Sequence, residues 1–283
     1  MSGFLNKSFI ITGAAGGIGS QLSLELAKQG ACLTLIDLGT DRYGDRPNPS
    51  AVQALARQIN KTGGRAVAHA YDVCDERLRH EAFSQNQAHF GTTDGVIFCA
   101  GIAQERNVAH LQSSHLDAML RVNLRAPIDW TLAYLEHCKS HEQQGKVVLL
   151  TSSVFWRGPT NESHGCAAAA GLNAFVRSAA PGLARHGVLL NAIAPTAYTP
   201  AMAEHPNPAL RPSQNLSTAS VARAILFFLS DAAAEINGEI LGVTGNRLYG
   251  FRMLQNKGVL CREEGLADEQ YSAKVFDALN SSA

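Results

Sequence analysis

Neither sign of charge prevails in this chain. Twenty-four Lys and Arg stand against 24 Asp and Glu over 283 residues, for a formal net charge of zero. Without a basic surplus no global field recruits nucleic acid or an anionic membrane surface. Cysteine is scarce and scattered: Cys32, Cys74, Cys99, Cys138, Cys166 and Cys261 form no Cys-x-x-Cys pair and no cluster. That spacing argues against a disulfide framework or a structural zinc site, and the thiols read as the reduced cysteines of a cytoplasmic protein. Long apolar runs are missing too. The longest, Ala224–Leu229, is far shorter than the roughly 18 residues of a membrane span, and Met1–Ser8 lacks a basic segment leading into an apolar one. Neither membrane insertion nor export is expected.

What is present suits a folded enzyme-sized domain. Hydrophobic residues make up 46% of the chain and charged ones 17%, enough apolar side chain for a sizeable core. Short apolar runs alternate with longer helical patterns: Phe9–Ile11, then Leu22–Gln29, then Cys32–Ile36, continuing through Ala66–Ala68, Val96–Phe98, Val147–Leu150 and Val188–Ile193. Strands separated by helical stretches predict an α/β fold, a Rossmann-type doubly wound parallel sheet. One domain is expected over residues 1–245, with a C-terminal extension over 246–283 packed on it or on an oligomer neighbour. Gly39–Ser50 and the proline-bearing Glu204–Thr218 read as long functional loops.

The sharpest motif is Thr12-Gly13-Ala14-Ala15-Gly16-Gly17-Ile18-Gly19, between a predicted strand and a predicted helix. Glycines there let the backbone approach a pyrophosphate, whose charge meets free N–H groups at the positive helix end. A tight strand-to-helix turn alone would explain the glycines, but Asp37 ends the second strand eighteen residues after Gly19, where a carboxylate accepts both ribose hydroxyls. The same carboxylate repels a 2′-phosphate, so NAD is the expected cofactor.

On these residues the chain resembles the short-chain dehydrogenase/reductase family, from about Lys7 to Gly245. The family pattern Thr-Gly-x-x-x-Gly-x-Gly is met by Thr12, Gly13, Gly17 and Gly19, with Ile18 between the last two. The resemblance implies adenine contacts from Asp72 and Val73 and a cofactor-lining role for Ala100 and Gly101. It also implies a proton-relay role for Asn123, the catalytic serine position for Ser153, and closure over nicotinamide by Pro195 and Thr199. Segment lengths and motifs are closest to the subgroup acting on hydroxyacyl-CoA and steroid-like alcohols. Assembly as a homo- or hetero-oligomer follows from the same resemblance.

One feature of the family is missing. Its tyrosine and lysine, spaced Tyr-x-x-x-Lys, move the hydroxyl proton, the lysine lowering the phenol's pKa. The corresponding stretch here reads Gly165-Cys166-Ala167-Ala168-Ala169-Ala170-Gly171. Anchoring on Gly187 and Asn191 puts the two positions on Gly165 and Ala169; counting from Ser153 puts them on Cys166 and Ala170. Either register lacks both groups. The preferred expectation is therefore an NAD-binding, catalytically silent or weakly active subunit that assembles with an active homologue. The alternative is an active NAD-dependent hydroxyl dehydrogenase using Ser153 with His164 or Cys166 as the substitute proton donor. No metal site is expected: His137 and His141 lie one helical turn apart, but their segment reads as a solvated helix end.

Overall fold

The computed structural model describes residues 3–252. The six apolar runs become β1 (Ser8–Thr12), β2 (Cys32–Ile36), β3 (Arg65–His69), β4 (Gly95–Phe98), β5 (Gly145–Leu150) and β6 (Val188–Thr196), and two strands that the pattern did not mark follow, β7 (Ile240–Thr244) and β8 (Arg247–Gly250). Between them run α1 (Gly17–Lys28), α2 (Ser50–Lys61), α3 (Glu76–Phe90), α4 (Ser113–Leu120), α5 (Ala126–Ser140), α6 (Val154–Arg157), α7 (Ser163–Ala184), α8 (Pro200–Ala203) and α9 (Thr218–Leu229). The sheet order is β3-β2-β1-β4-β5-β6-β7-β8, parallel throughout except for the last strand. This is the doubly wound fold expected from the sequence.

Every residue of β1 and of β2 is buried, because helices cover both faces of the sheet. Such strands read as continuous apolar runs rather than alternating ones. On one face α1, α2 and α9 bring Leu22, Leu26, Val52, Ile59, Val221 and Ile225 against Ile11, Leu33, Leu35 and Ile193. Each fully buried side chain of this size contributes roughly 1.5–3 kcal/mol of transfer free energy. On the other face α3 packs on β1, α5 on β4 and α7 on β6.

The sheet runs beyond the domain edge expected at residue 245. Gly245 and Asn246 form a two-residue hairpin between β7 and β8, with Gly245 at φ 55°, and the sheet-bearing unit ends at Gly250. Glycine with positive φ at the first turn position fits a type II′ hairpin. Of the extension expected over 246–283, the part past residue 252 lies outside the described residues. No helix among the described residues is long and apolar enough to cross a membrane.

Candidate active site

Strands β1 and β4 are neighbours although β2 and β3 lie between them in sequence, so the winding reverses there and a crevice opens at the carboxyl ends of the strands. The glycine loop sits in it. Gly13 has φ 63°, and a Cβ at that position would stand 2.5 Å from the backbone nitrogen of Ala100. A Cβ on Gly19 would meet the Gly13 carbonyl oxygen at 2.2 Å. Both positions admit only glycine, since loop, helix and the segment after β4 touch backbone to backbone. Gly16 leads into α1 without a side-chain cap, which leaves the first-turn N–H groups of the helix free for an anion.

Asp37 follows β2 directly. Its Oδ2 accepts the Ala15 N–H at 2.8 Å and its Oδ1 accepts the Gly39 N–H at 2.6 Å. Each oxygen keeps a second lone pair, so the carboxylate is held rigid and still able to accept hydroxyls. A crevice of about 210 Å³ is lined by Gly13, Asp37, Asp72, Val73, Ala100 and Gly101 together. Trp130 Nε1 fixes Val73 by donating to its carbonyl at 2.9 Å, and Arg121 lies 3.7 Å from Asp72. Gly17 is covered by Thr199: a Cβ on the glycine would stand 2.9 Å from the threonine Cβ. Cradle, carboxylate and cover suit a dinucleotide. Cys99, between crevice and neighbouring cavity, has its thiol pushed up to about 12 by burial, with Asp37 adding, and is no nucleophile.

Next to the crevice lies a cavity of about 240 Å³, whose lining includes Asn123, Thr151, Ser152, Glu162, Gly165 and Ala169. Asn123 sits in a π-helical turn, Arg121–Arg125, between α4 and α5. Such turns recur at functional sites. This one aims the Asn123 side chain at the segment after β4, where Oδ1 accepts the Ile102 N–H at 2.9 Å and Nδ2 donates to the Ile102 carbonyl at 2.8 Å. The Thr151 hydroxyl oxygen is buried with no hydrogen-bond partner among the described residues. Ser152, rather than Ser153, lines this cavity. Ser153 is buried and faces only a second cavity of about 340 Å³, shared with Ile18, Ser152, Pro195 and Thr199.

The structure separates the two registers left open by the sequence. Gly165 and Ala169 line the cavity, one turn apart on α7, and a Cβ on Gly165 would meet nothing within 4 Å. Cys166 instead donates its thiol to the Val154 carbonyl at 3.3 Å, is raised in pKa by burial, and lines neither cavity; Ala170 is exposed. His164 is 1% exposed, lines neither cavity, and has its pKa lowered by burial, with His115 and Arg106 adding. Neither substitute proton donor expected from sequence is positioned for the role. Among the described residues, the cavity lining holds no tyrosine and no lysine.

Four charged or titratable residues unseen in the sequence come together beside it. Arg42, from the segment after β2, donates to the Ala103 carbonyl and pairs with Glu105 Oε1, from the segment after β4. His205, past α8, places Nε2 3.0 Å from the same Glu105 oxygen and 3.8 Å from Glu162 Oε1, at the start of α7. Burial raises the Glu162 carboxyl above its ordinary range, with Glu105 adding. Glu105 and Glu162 line both cavities. The three acceptor atoms lie within 4.8 Å of one another, but a metal cation there would share Glu105 Oε1 with the Arg42 guanidinium.

The helix end is solvated at Lys139, Ser140, His141 and Glu142, as expected, but not at His137. His137 is buried, its ring stacked on Phe83 at 5.4 Å and 4.2 Å from the His141 ring, while His141 Nδ1 contacts the His137 carbonyl at 2.9 Å. These rings belong to an aromatic cluster between α3 and α5.

Residues 7–210 match the family model described as short chain dehydrogenase. The (3R)-3-hydroxyacyl-CoA dehydrogenase of Homo sapiens is 28% identical over 83% of this chain and 93% of its own length. The (2S)-[(R)-hydroxy(phenyl)methyl]succinyl-CoA dehydrogenase subunit BbsD of Thauera aromatica is 26% identical over 87% of this chain and 98% of its own. A crystal structure of a short chain dehydrogenase from Mycobacterium avium superposes with a TM-score of 0.82, covering 99% of this chain and 96% of that one at 23% identity, a likeness of fold. With a family model spanning most of the chain and the fold in agreement, this protein belongs to the short chain dehydrogenase family.

Proposed function

We propose that the chain is an NAD(H)-dependent oxidoreductase of a hydroxyacyl-CoA-like or related secondary alcohol, with a proton-transfer site different from the family's tyrosine and lysine. One observation carries the reading: the cavity beside the glycine loop has Gly165 and Ala169 on its wall and a half-buried glutamate, Glu162, on the same wall. Perturbed titratable groups lining a cavity mark functional sites. The substrate class is supported by relatives named as acyl-CoA dehydrogenases.

The preference for NAD over NADP rests on carboxylates. Asp37, Asp41 and Asp72 all line the cofactor crevice, and Arg42, the cation reaching it from the segment after β2, is already paired with Glu105. A bound nicotinamide supplies the hydride acceptor or donor. The protein holds the ribose on Asp37, cradles the pyrophosphate on Gly13–Gly19, and covers it with Thr199. Calorimetry on the purified chain is expected to show NAD binding well ahead of NADP, and Asp37→Ala is expected to weaken NAD at least tenfold. Equal binding of both cofactors, or none of either, contradicts this.

A second reading has its own support. A silent subunit in a cytoplasmic hetero-oligomer fits the loss of the dyad positions, and one relative is named as a dehydrogenase subunit. The two readings differ in whether the isolated chain turns over.

A further inference from the structure

We propose that Glu162 is the group that moves the substrate's hydroxyl proton, in the place left by the tyrosine absent at position 165. This deepens the cofactor and substrate reading above and rests on it. Glu162 precedes α7 and stands three residues before Gly165, where the side-chain space is open. Both residues line the same cavity, as do Asn123 and the hydroxyl of Thr151, unpartnered among the described residues. A hydroxyl placed there meets Thr151 as a hydrogen-bond partner and Glu162 as a proton acceptor.

The charges of the cluster select Glu162 among its members. Side-chain exposures are 1% for Arg42, 14% for Glu105, 19% for Glu162 and 3% for His205, so all four are largely removed from water. Glu105 Oε1 is held by both Arg42 and His205. Among the described residues no cation lies at hydrogen-bond distance from Glu162, and His205 Nε2 is 3.8 Å away. The two carboxylates face one guanidinium, that of Arg42, which is turned to Glu105 and not to Glu162. Burial and the neighbouring Glu105 raise the Glu162 pKa in the direction a base working near neutral pH needs.

His205 Nδ1 lies 3.0 Å from both the N–H and the carbonyl of Asn207, which fixes the ring with Nε2 toward Glu105. The second cavity, which Glu162 and His205 share with the exposed Arg157, gives the proton a way out.

In the oxidative direction the alcohol C–H bond breaks with its electron pair, as hydride, to an oxidised nicotinamide dinucleotide. The O–H bond breaks with its proton passing to the Glu162 carboxylate, and C=O forms. Oxidation therefore needs Glu162 ionised, and its rate rises with pH through the raised Glu162 pKa; reduction falls with pH over the same window. Among the described residues, the charged and titratable groups facing Glu162 are Glu105, Arg42, His205 and Cys166.

The test compares the wild-type chain with Glu162→Gln and Glu162→Asp, using NAD with a panel of 3-hydroxyacyl thioesters and cyclic secondary alcohols. Glu162→Gln is expected to lower kcat by about a hundredfold or more and to abolish the rising limb of the pH profile, with Glu162→Asp recovering part of both. NAD affinity by calorimetry should stay within about twofold, showing that the variants fold and keep their cofactor site. Infrared titration supplies a readout independent of turnover. It should show a protonated carboxyl band that persists above the ordinary glutamate value of about 4.3 and is absent in Glu162→Gln. The proposal is overturned by turnover that survives in Glu162→Gln with its pH profile intact, by NAD binding without turnover on the panel, or by an unchanged carboxyl band. Failure of the wild-type chain to bind NAD overturns the cofactor reading instead.

Discussion

At the scale of single residues, the empty wall at Gly165 and Ala169 invites restoration. Gly165 offers open space for a ring, and Ala169 lies one turn further along the same face. Gly165→Tyr with Ala169→Lys is expected to raise oxidation of the same alcohols at least tenfold and to give a rate less dependent on Glu162. The control, Cys166→Tyr with Ala170→Lys, should gain nothing, because Cys166 lines neither cavity and Ala170 is exposed. A gain in the control pair alone would assign the register the other way. A second residue-scale prediction concerns His137, whose pKa burial pushes down to about 4, with His141 adding, from 6.5. The unfolded chain binds this proton and the folded chain does not, so stability is complete above about 6.5 and is lost as pH falls toward 4. The loss amounts to about 3 kcal/mol at most. Thermal unfolding of His137→Phe across that window should show a shallower acid slope than wild type; parallel profiles would sink the assignment.

At the scale of elements, the glycine loop was legible because its constraints are local: a strand, a tight turn and a helix start within a dozen residues, with Asp37 at the next strand end. Gly13→Ala should therefore cost more than the usual helix or loop substitution. Its Cβ collides with Ala100 and its φ is positive, so NAD binding is expected to drop beyond detection by calorimetry, along with a fall in Tm. Normal affinity in that variant would mean the loop does not approach the segment after β4 as described. The charge cluster was not legible. Arg42, Glu105, Glu162 and His205 arrive from four segments separated by as many as 163 positions, and no periodicity links them. Counting alone left two registers because the stretch between Ser153 and α7 has no internal anchor; the helix face decides between them.

At the scale of the whole molecule, seven parallel strands bring their carboxyl ends to one rim, so the glycine-loop crevice, the cavity beside it and the charge cluster adjoin although no motif joins them in sequence. The alternation of apolar runs made that rim predictable, while β7, β8 and their hairpin were missed because the Gly245-Asn246 turn reads as the end of the domain. Parting a retained cofactor half from a rebuilt proton-transfer half is the central claim. It is tested most directly by following NADH formation from hydroxyacyl thioesters in the purified, light-scattering-characterised chain, with NAD binding measured in the same preparation. The account predicts binding and measurable turnover by this chain without a second protein. Binding with no turnover, and activity appearing only when a homologue carrying its own tyrosine and lysine is added, would contradict it.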